Sequence, residues 1–241
     1  MKKIKTMRIA SILLIAVLMT TCAISGTFAK YVTSDNGSDS ARVAKWGVQV
    51  EIANDLNLFG QTYAKHDQTV NDQNITNTVA VDTTGGNLVA PGTDNSITFT
   101  ISGTPEVAVD VKIEMNVRSD VIIPANTDIR QGNPTDADET VENILAADYT
   151  PVVFTLKKSD DTTVATGTLA QIEAELEALS AKYGPNTKLD ETYTLSWAWA
   201  FNGGNDAADT YLGNVAAGEV TDANTKTAIA FDFTITVTQI D

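Results

Sequence analysis

Four stretches of the chain alternate apolar and polar residues with period two, the pattern of strands that turn one face to a core and the other to water. Ile97, Phe99 and Ile101 form the first, with Thr98 and Thr100 between them. Val107, Val109, Val111, Ile113, Met115 and Val117 form the second, interleaved with Asp110, Lys112, Glu114 and Asn116. Tyr193, Leu195, Trp197, Trp199 and Phe201 form the third, and Ile229, Phe231, Phe233, Ile235 and Val237 the last. Weaker strands are predicted at Val43 to Ile52, Val79 to Val81, Val152 to Lys157 and Thr163 to Thr166. Seven or eight short strands buried on one side describe two sheets packed face to face. No alternation of strands with helices suggests a parallel nucleotide-binding sheet.

One segment carries the helical period instead. Thr168 stands at an N-cap position with Gln171 three residues on, and Leu169, Ile172, Leu176 and Leu179 share a face before Gly184-Pro185 ends the run. The spacing predicts a helix laid across the end of the sandwich as a connection between its sheets. Polar loops are expected at Asn54 to Thr78, Ala125 to Asn143 and Asn202 to Lys226. The fold class is therefore all-β, a jelly-roll or Ig-like two-sheet β-sandwich with one inserted α-helix, preceded by a signal peptide.

The leader is read from its own pattern. Lys2, Lys3, Lys5 and Arg8 precede an apolar run from Ile9 to Met19, broken only by Ser11, and small residues follow as far as Thr27-Phe28-Ala29. Thr27 and Ala29 supply the small −3 and −1 side chains a signal peptidase accepts, which places the cut between Ala29 and Lys30. Residues 1–29 are then the signal peptide and 30–241 the β-sandwich domain. Cys22, the one cysteine, lies in the leader behind a sequence that fits a lipobox poorly. The mature chain keeps no thiol, so its stability outside the cell must come from core and sheet rather than disulfides.

Charge narrows the function classes. With 16 basic residues against 31 acidic ones the formal net charge is −15, which opposes nucleic-acid binding. The leader holds four of those basic residues and no acidic ones, so cleavage leaves a more acidic chain. A single histidine, His66, excludes a paired-histidine zinc site, and no nucleophile elbow accompanies it. It reads as a surface-loop residue, and no catalytic residue is assigned. Asn205, Asp206 and Asp209, after Gly203-Gly204, offer hard oxygen ligands for calcium without the spacing of an EF-hand. Asn, Gly and Asp build turns for their own reasons, so calcium stands there beside a plain turn.

Three stretches carry a resemblance. Gly26-Thr27-Phe28-Ala29-Lys30-Tyr31 resembles the cleavage region of proteins processed by the SipW-type signal peptidase. Asn87 to Gly92 ahead of a strand, followed by Val107 to Val117, resembles the early sandwich strands of the TasA and camelysin (CalY) family. Trp197 to Phe201, followed by Asn205-Asp206, Asp209-Thr210 and Leu212-Gly213, resembles a variant in related secreted proteins. The resemblance implies an extracellular biofilm-matrix protein whose subunits assemble into fibres by strand donation, with a SipW-type peptidase as its processing partner. Camelysin is classed as a metalloprotease, but the paired histidines are missing here, and the chain is expected not to be an enzyme.

Cleavage frees Lys30, Tyr31, Val32 and Thr33, a short β-prone stretch at the head of the flexible segment 30–40, which makes them the candidate donor strand. Contact with the membrane is expected only through the uncleaved leader. The competing reading is a non-polymerising surface adhesin or ligand-binding β-sandwich.

Overall fold

The computed structural model describes residues 7, 9–19, 41–64, 77–81, 85–130, 141–142 and 145–240. It divides into two compact units, Met1–Val43 and Ala44–Asp241. In the first unit, residues 9–19 are helical (α1) with their side chains exposed. Among the described residues no helix is long and apolar enough to cross a membrane.

The second unit is an antiparallel β-sandwich with helices. Its strands run β1 (Val48–Ile52), β2 (Thr62–Ala64), β3 (Asn77–Ala80), β4 (Thr93–Gly103), β5 (Val109–Ser119), β6 (Ile129–Arg130), β7 (Val141–Glu142), β8 (Val152–Lys158) and β9 (Thr163–Gly167). After α2 (Leu169–Ala178) come β10 (Ala181–Tyr183), β11 (Leu189–Trp199), α3 (Asp206–Ala217) and β12 (Ala230–Gln239). The main sheet has the order β1-β4-β11-β8-β9, and the opposing sheet the order β10-β5-β12. Two small hairpins, β2-β3 and β6-β7, complete the described strands.

The period-two pattern sets which faces meet. On the main sheet Phe99 pairs with Tyr193, Ile97 with Leu195, Leu195 with Leu156 and Trp197 with Phe154, and all seven are buried. From the other side Val109, Val111, Ile113 and Met115 of β5 are equally buried. The sheets touch where the Phe99 and Phe233 rings lie 5.1 Å apart. Trp197 anchors the centre: its indole Nε1 donates to the Leu58 carbonyl at 3.0 Å, and Phe59 and Tyr63 pack on its ring.

The predicted helix forms as its sequence indicates. Thr168 Oγ1 accepts from the Gln171 backbone N–H while the Gln171 side chain accepts from Thr168 N–H, a complete capping box. Leu169, Ile172 and Leu176 are buried, and the helix connects β9 at the edge of the main sheet to β10 at the edge of the other.

Several expectations change. Among the described residues the second unit has two α-helices rather than one: α3 occupies part of what was expected to be the loop Asn202 to Lys226. Ala208, Tyr211, Leu212 and the partly buried Val215 fall at helical spacing on its inner face, and Gly218 in the left-handed conformation closes it. The strand expected from Val43 begins only at Val48, after Gly47 (φ +57°). There the chain crosses Gly103 so closely that a Cβ on Gly103 would lie 1.9 Å from the Gly47 carbonyl oxygen. Phe201 lies beyond the end of β11 and is exposed, because the chain turns at Phe201-Asn202.

Candidate functional site

The two sheets are unequal, and their mismatch defines the site. Phe233 of β12 sits over Phe99 of β4, so β1, the next strand of the main sheet, lies beyond the last strand of the opposing one. Val50 of β1 pairs directly with the buried Ile101, which directs its side chain inward, yet it is 41% exposed. Phe231, Phe233, Ile235 and Val237, the inward residues of β12, are only half-buried, whereas Val111, Ile113 and Met115, which face Val237, Ile235 and Phe233 on β5, are buried. The inner surfaces of β1 and β12 thus both carry incompletely buried apolar side chains, and Phe59 packs on Phe231 and Trp197.

Among the described residues the outer backbone edge of β12 is also unpaired. β12 runs ten residues and, among the described residues, pairs only with β5. Alternate N–H and C=O groups along such a strand point away from its single partner and form a template for another strand. The other side of the sheet is treated differently. Where the three-residue β10 ends, the Ile113 N–H donates to Ser180 Oγ at 3.0 Å and the Val117 N–H to Glu173 Oε1 at 3.3 Å. Helix α2 and the residues after it therefore satisfy the exposed edge of β5, and no described residue does the same for β12. On the outward face of β12, Asp232 pairs with Arg118 at 3.2 Å in full view of solvent, which contributes little to stability. The inward face carries no charge.

The candidate calcium ligands take other places. Asn205 precedes α3 and donates through Nδ2 to the Gly203 carbonyl. Asp206 and Asp209 lie in the first helical turn, where carboxylates complement the helix dipole. The Asp209 carboxylate turns inward and accepts from Tyr149 Oη–H at 2.6 Å and from Trp199 Nε1–H at 3.2 Å, both at Oδ1. These bonds fasten α3 to the end of the sandwich. Among the described residues no group of three or more His, Cys, Asp or Glu is arranged to hold a metal ion. The cleavage residues Thr27, Ala29 and Lys30, the donor residues Lys30 to Thr33, and His66 lie outside the described residues.

Burial pushes the Asp209 carboxyl above the usual carboxylate range, against the lowering effect of its bonds from Tyr149 and Trp199. Burial and the neighbouring Asp209 likewise push the Tyr149 phenol well up, so it remains a donor. The folded chain holds the Asp209 proton to higher pH than the unfolded chain does. Stability from this site is therefore fully present below the unfolded pKa of about 3.9 and declines as pH rises through the folded value. Asp209→Asn retains a carbonyl acceptor and cannot titrate. Denaturant midpoints measured across this pH range should decline less steeply in the variant; a steeper decline would assign the opposite sign to the site.

No protein-family model matches the chain, and no curated protein matches it.

Proposed function

We propose that the mature chain is a secreted, non-catalytic structural subunit of an extracellular matrix, related to the TasA and camelysin proteins, that polymerises by strand donation. Lys30 to Thr33 of one copy adds to the free edge of β12 in the next. The observation that carries this reading is the ten-residue edge of β12, unpaired among the described residues, beside its half-buried apolar side chains. Soluble proteins ordinarily blunt such edges with helices, prolines or inward-pointing charges. An edge left open over an apolar floor suits β-augmentation, in which main-chain hydrogen bonds supply affinity and alternate side chains fill pockets.

The leader fits the same reading as a control on timing. While attached, it precedes Lys30 and denies the donor a free end, so processing by a SipW-type peptidase couples export to assembly. The mature chain is expected to begin at Lys30 on N-terminal sequencing and to form fibres visible by electron microscopy, and Ala29 replaced by a bulky residue should leave precursor at the membrane. Persistent monomers of the correctly cleaved chain would favour the adhesin instead.

A further inference from the structure

A small cavity of about 150 Å³ opens beside helix α3, between it and the turn that leads into β4. Asp209, Leu212, Gly213 and Ala216 line it from α3, at the i, i+3, i+4 and i+7 spacing of one helix face. Pro91 lines it from the turn, which Thr93 braces by bonding through Oγ1 to both the carbonyl and the N–H of Ala90. Trp199, at the end of β11, supplies an aromatic wall. The helix leaves the space open at Gly213. A Cβ there would meet nothing within 4 Å, so no close packing calls for the glycine, although glycine weakens a helix interior relative to alanine. Asp209 is the only ionisable side chain among the described residues that line the cavity. Its two bonds come from the neutral donors Tyr149 and Trp199, and both end on Oδ1. Asp120 and Lys226, next in sequence to the lining residues Val121 and Thr227, line a separate depression.

We propose that this cavity binds a small primary alkylammonium ion, with the ammonium on Asp209 and the carbon chain against Trp199 and Leu212. Size limits the ligand to about six non-hydrogen atoms, since cavities of this volume accept benzene. Charge sets its class. A half-buried carboxylate bonded only by neutral donors is uncompensated, and burial already pushes Asp209 toward its neutral form, so a cation restores the balance. Asp206 adds its own repulsion to Asp209, which strengthens the same preference. Calcium asks for about six to eight oxygens, and one carboxylate among mostly apolar side chains does not supply them. An aromatic ring beside a carboxylate suits an organic cation instead, through cation–π attraction to the head and dispersion along the chain. The ammonium group has two sources, a free amine and a lysine side chain. This site is separate from the β12 edge and does not depend on strand donation.

Titration of n-butylammonium chloride into the isotope-labelled full-length chain tests it, read by NMR at the Trp199 Nε1–H, which bonds to Asp209. That resonance should shift saturably, and sodium chloride at matched ionic strength should not reproduce the shift. The uncharged n-butanol should bind at least about tenfold more weakly, the weight of a hydrogen bond to a charged group. Asp209→Asn keeps the Oδ1 acceptor and removes the charge, so it should lower the butylammonium affinity at least about tenfold as well. Absence of a saturable shift, equal binding of the alcohol, or undiminished binding by a folded Asp209→Asn chain overturns the proposal. If circular dichroism shows that Asp209→Asn does not fold, the comparison of ammonium with alcohol on the parent chain decides alone. Nα-acetyl-lysine methylamide separates the two sources once the ammonium preference holds: binding tighter than butylammonium assigns the site to a lysine side chain, and weaker binding to a free amine.

Discussion

Trp197→Ala is expected to abolish accumulation of folded protein. The side chain is 1% exposed at the centre of the main sheet, with the Phe59 and Tyr63 rings 5.5 and 5.8 Å away. Removing a buried aromatic of this size costs about 3 to 5 kcal/mol in lost transfer energy and residual cavity. The substitution also strands the Leu58 carbonyl that the indole N–H now satisfies, an acceptor worth about 1 to 3 kcal/mol when left buried and unpaired. Against a total stability of about 5 to 15 kcal/mol, that loss removes most of the margin. Denaturant unfolding and yield of the soluble chain measure it. Trp197→Phe is the informative companion, since it keeps most of the ring burial while losing the hydrogen bond and part of the indole volume; it should fold, with a smaller loss than Trp197→Ala. A Trp197→Ala chain as stable as the parent would mean that the ring lies at a surface and not in the core.

What the sequence disclosed follows the strength of its periodicities. β4, β5, β11 and β12 alternate over ten or eleven residues, and each was legible because one face is buried and the other wet. The capping box at Thr168 and Gln171 announced α2 through a mechanism, reciprocal satisfaction of two orphan N–H groups. Helix α3 carried a fainter signal. Its Asp-Ala-Ala-Asp start after Gly203-Gly204-Asn205 has the composition of a turn, and Gly213 and Asn214 weaken its interior. The spacing of Ala208, Tyr211, Leu212 and Val215 reveals it only when the acidic start is read as a first helical turn rather than a ligand loop. The two-residue strands β6 and β7 and the three-residue β2 and β10 are too short for any period to register.

The candidate site was half legible. The expected cleavage after Ala29 and the apolar face of β12 are read from the chain; the unpaired edge of β12 and the position of β1 are not, because they arise from sheet order. Nothing local in Val48 to Ile52 indicates that this strand joins β4 and extends past the opposing sheet. Val50 looks like any inward strand residue, and its exposure follows from the place of β1 at the end of the sheet order. The same holds for Glu173 and Ser180. As residues they read as solvent-facing polar positions, and only the placement of α2 beside β5 turns them into protection for an edge.

Deleting Lys30 to Ser34 from the mature chain is expected to leave a folded monomer that forms no fibres. The deleted residues precede the compact unit that begins at Ala44, so its unfolding midpoint should match that of the parent. The complementary variant is Ile235→Lys. Ile235 is a half-buried inward residue of β12, and a lysine there sets an inward-pointing charge on the edge strand, the device by which natural edge strands reject partners. Such a chain retains its donor and loses its acceptor; the deletion retains its acceptor and loses its donor. Each alone should remain monomeric by size exclusion and show no fibres by electron microscopy. Mixed, they should form one-to-one complexes and nothing longer, because the Ile235→Lys donor fills the acceptor of the deletion chain and no free donor remains to continue. Fibres from the deletion chain alone, or a mixture that stays monomeric while both variants are folded, would refute strand donation through this edge. Fibres from Ile235→Lys alone would move the acceptor elsewhere, with the exposed edge of β1 the next place to test.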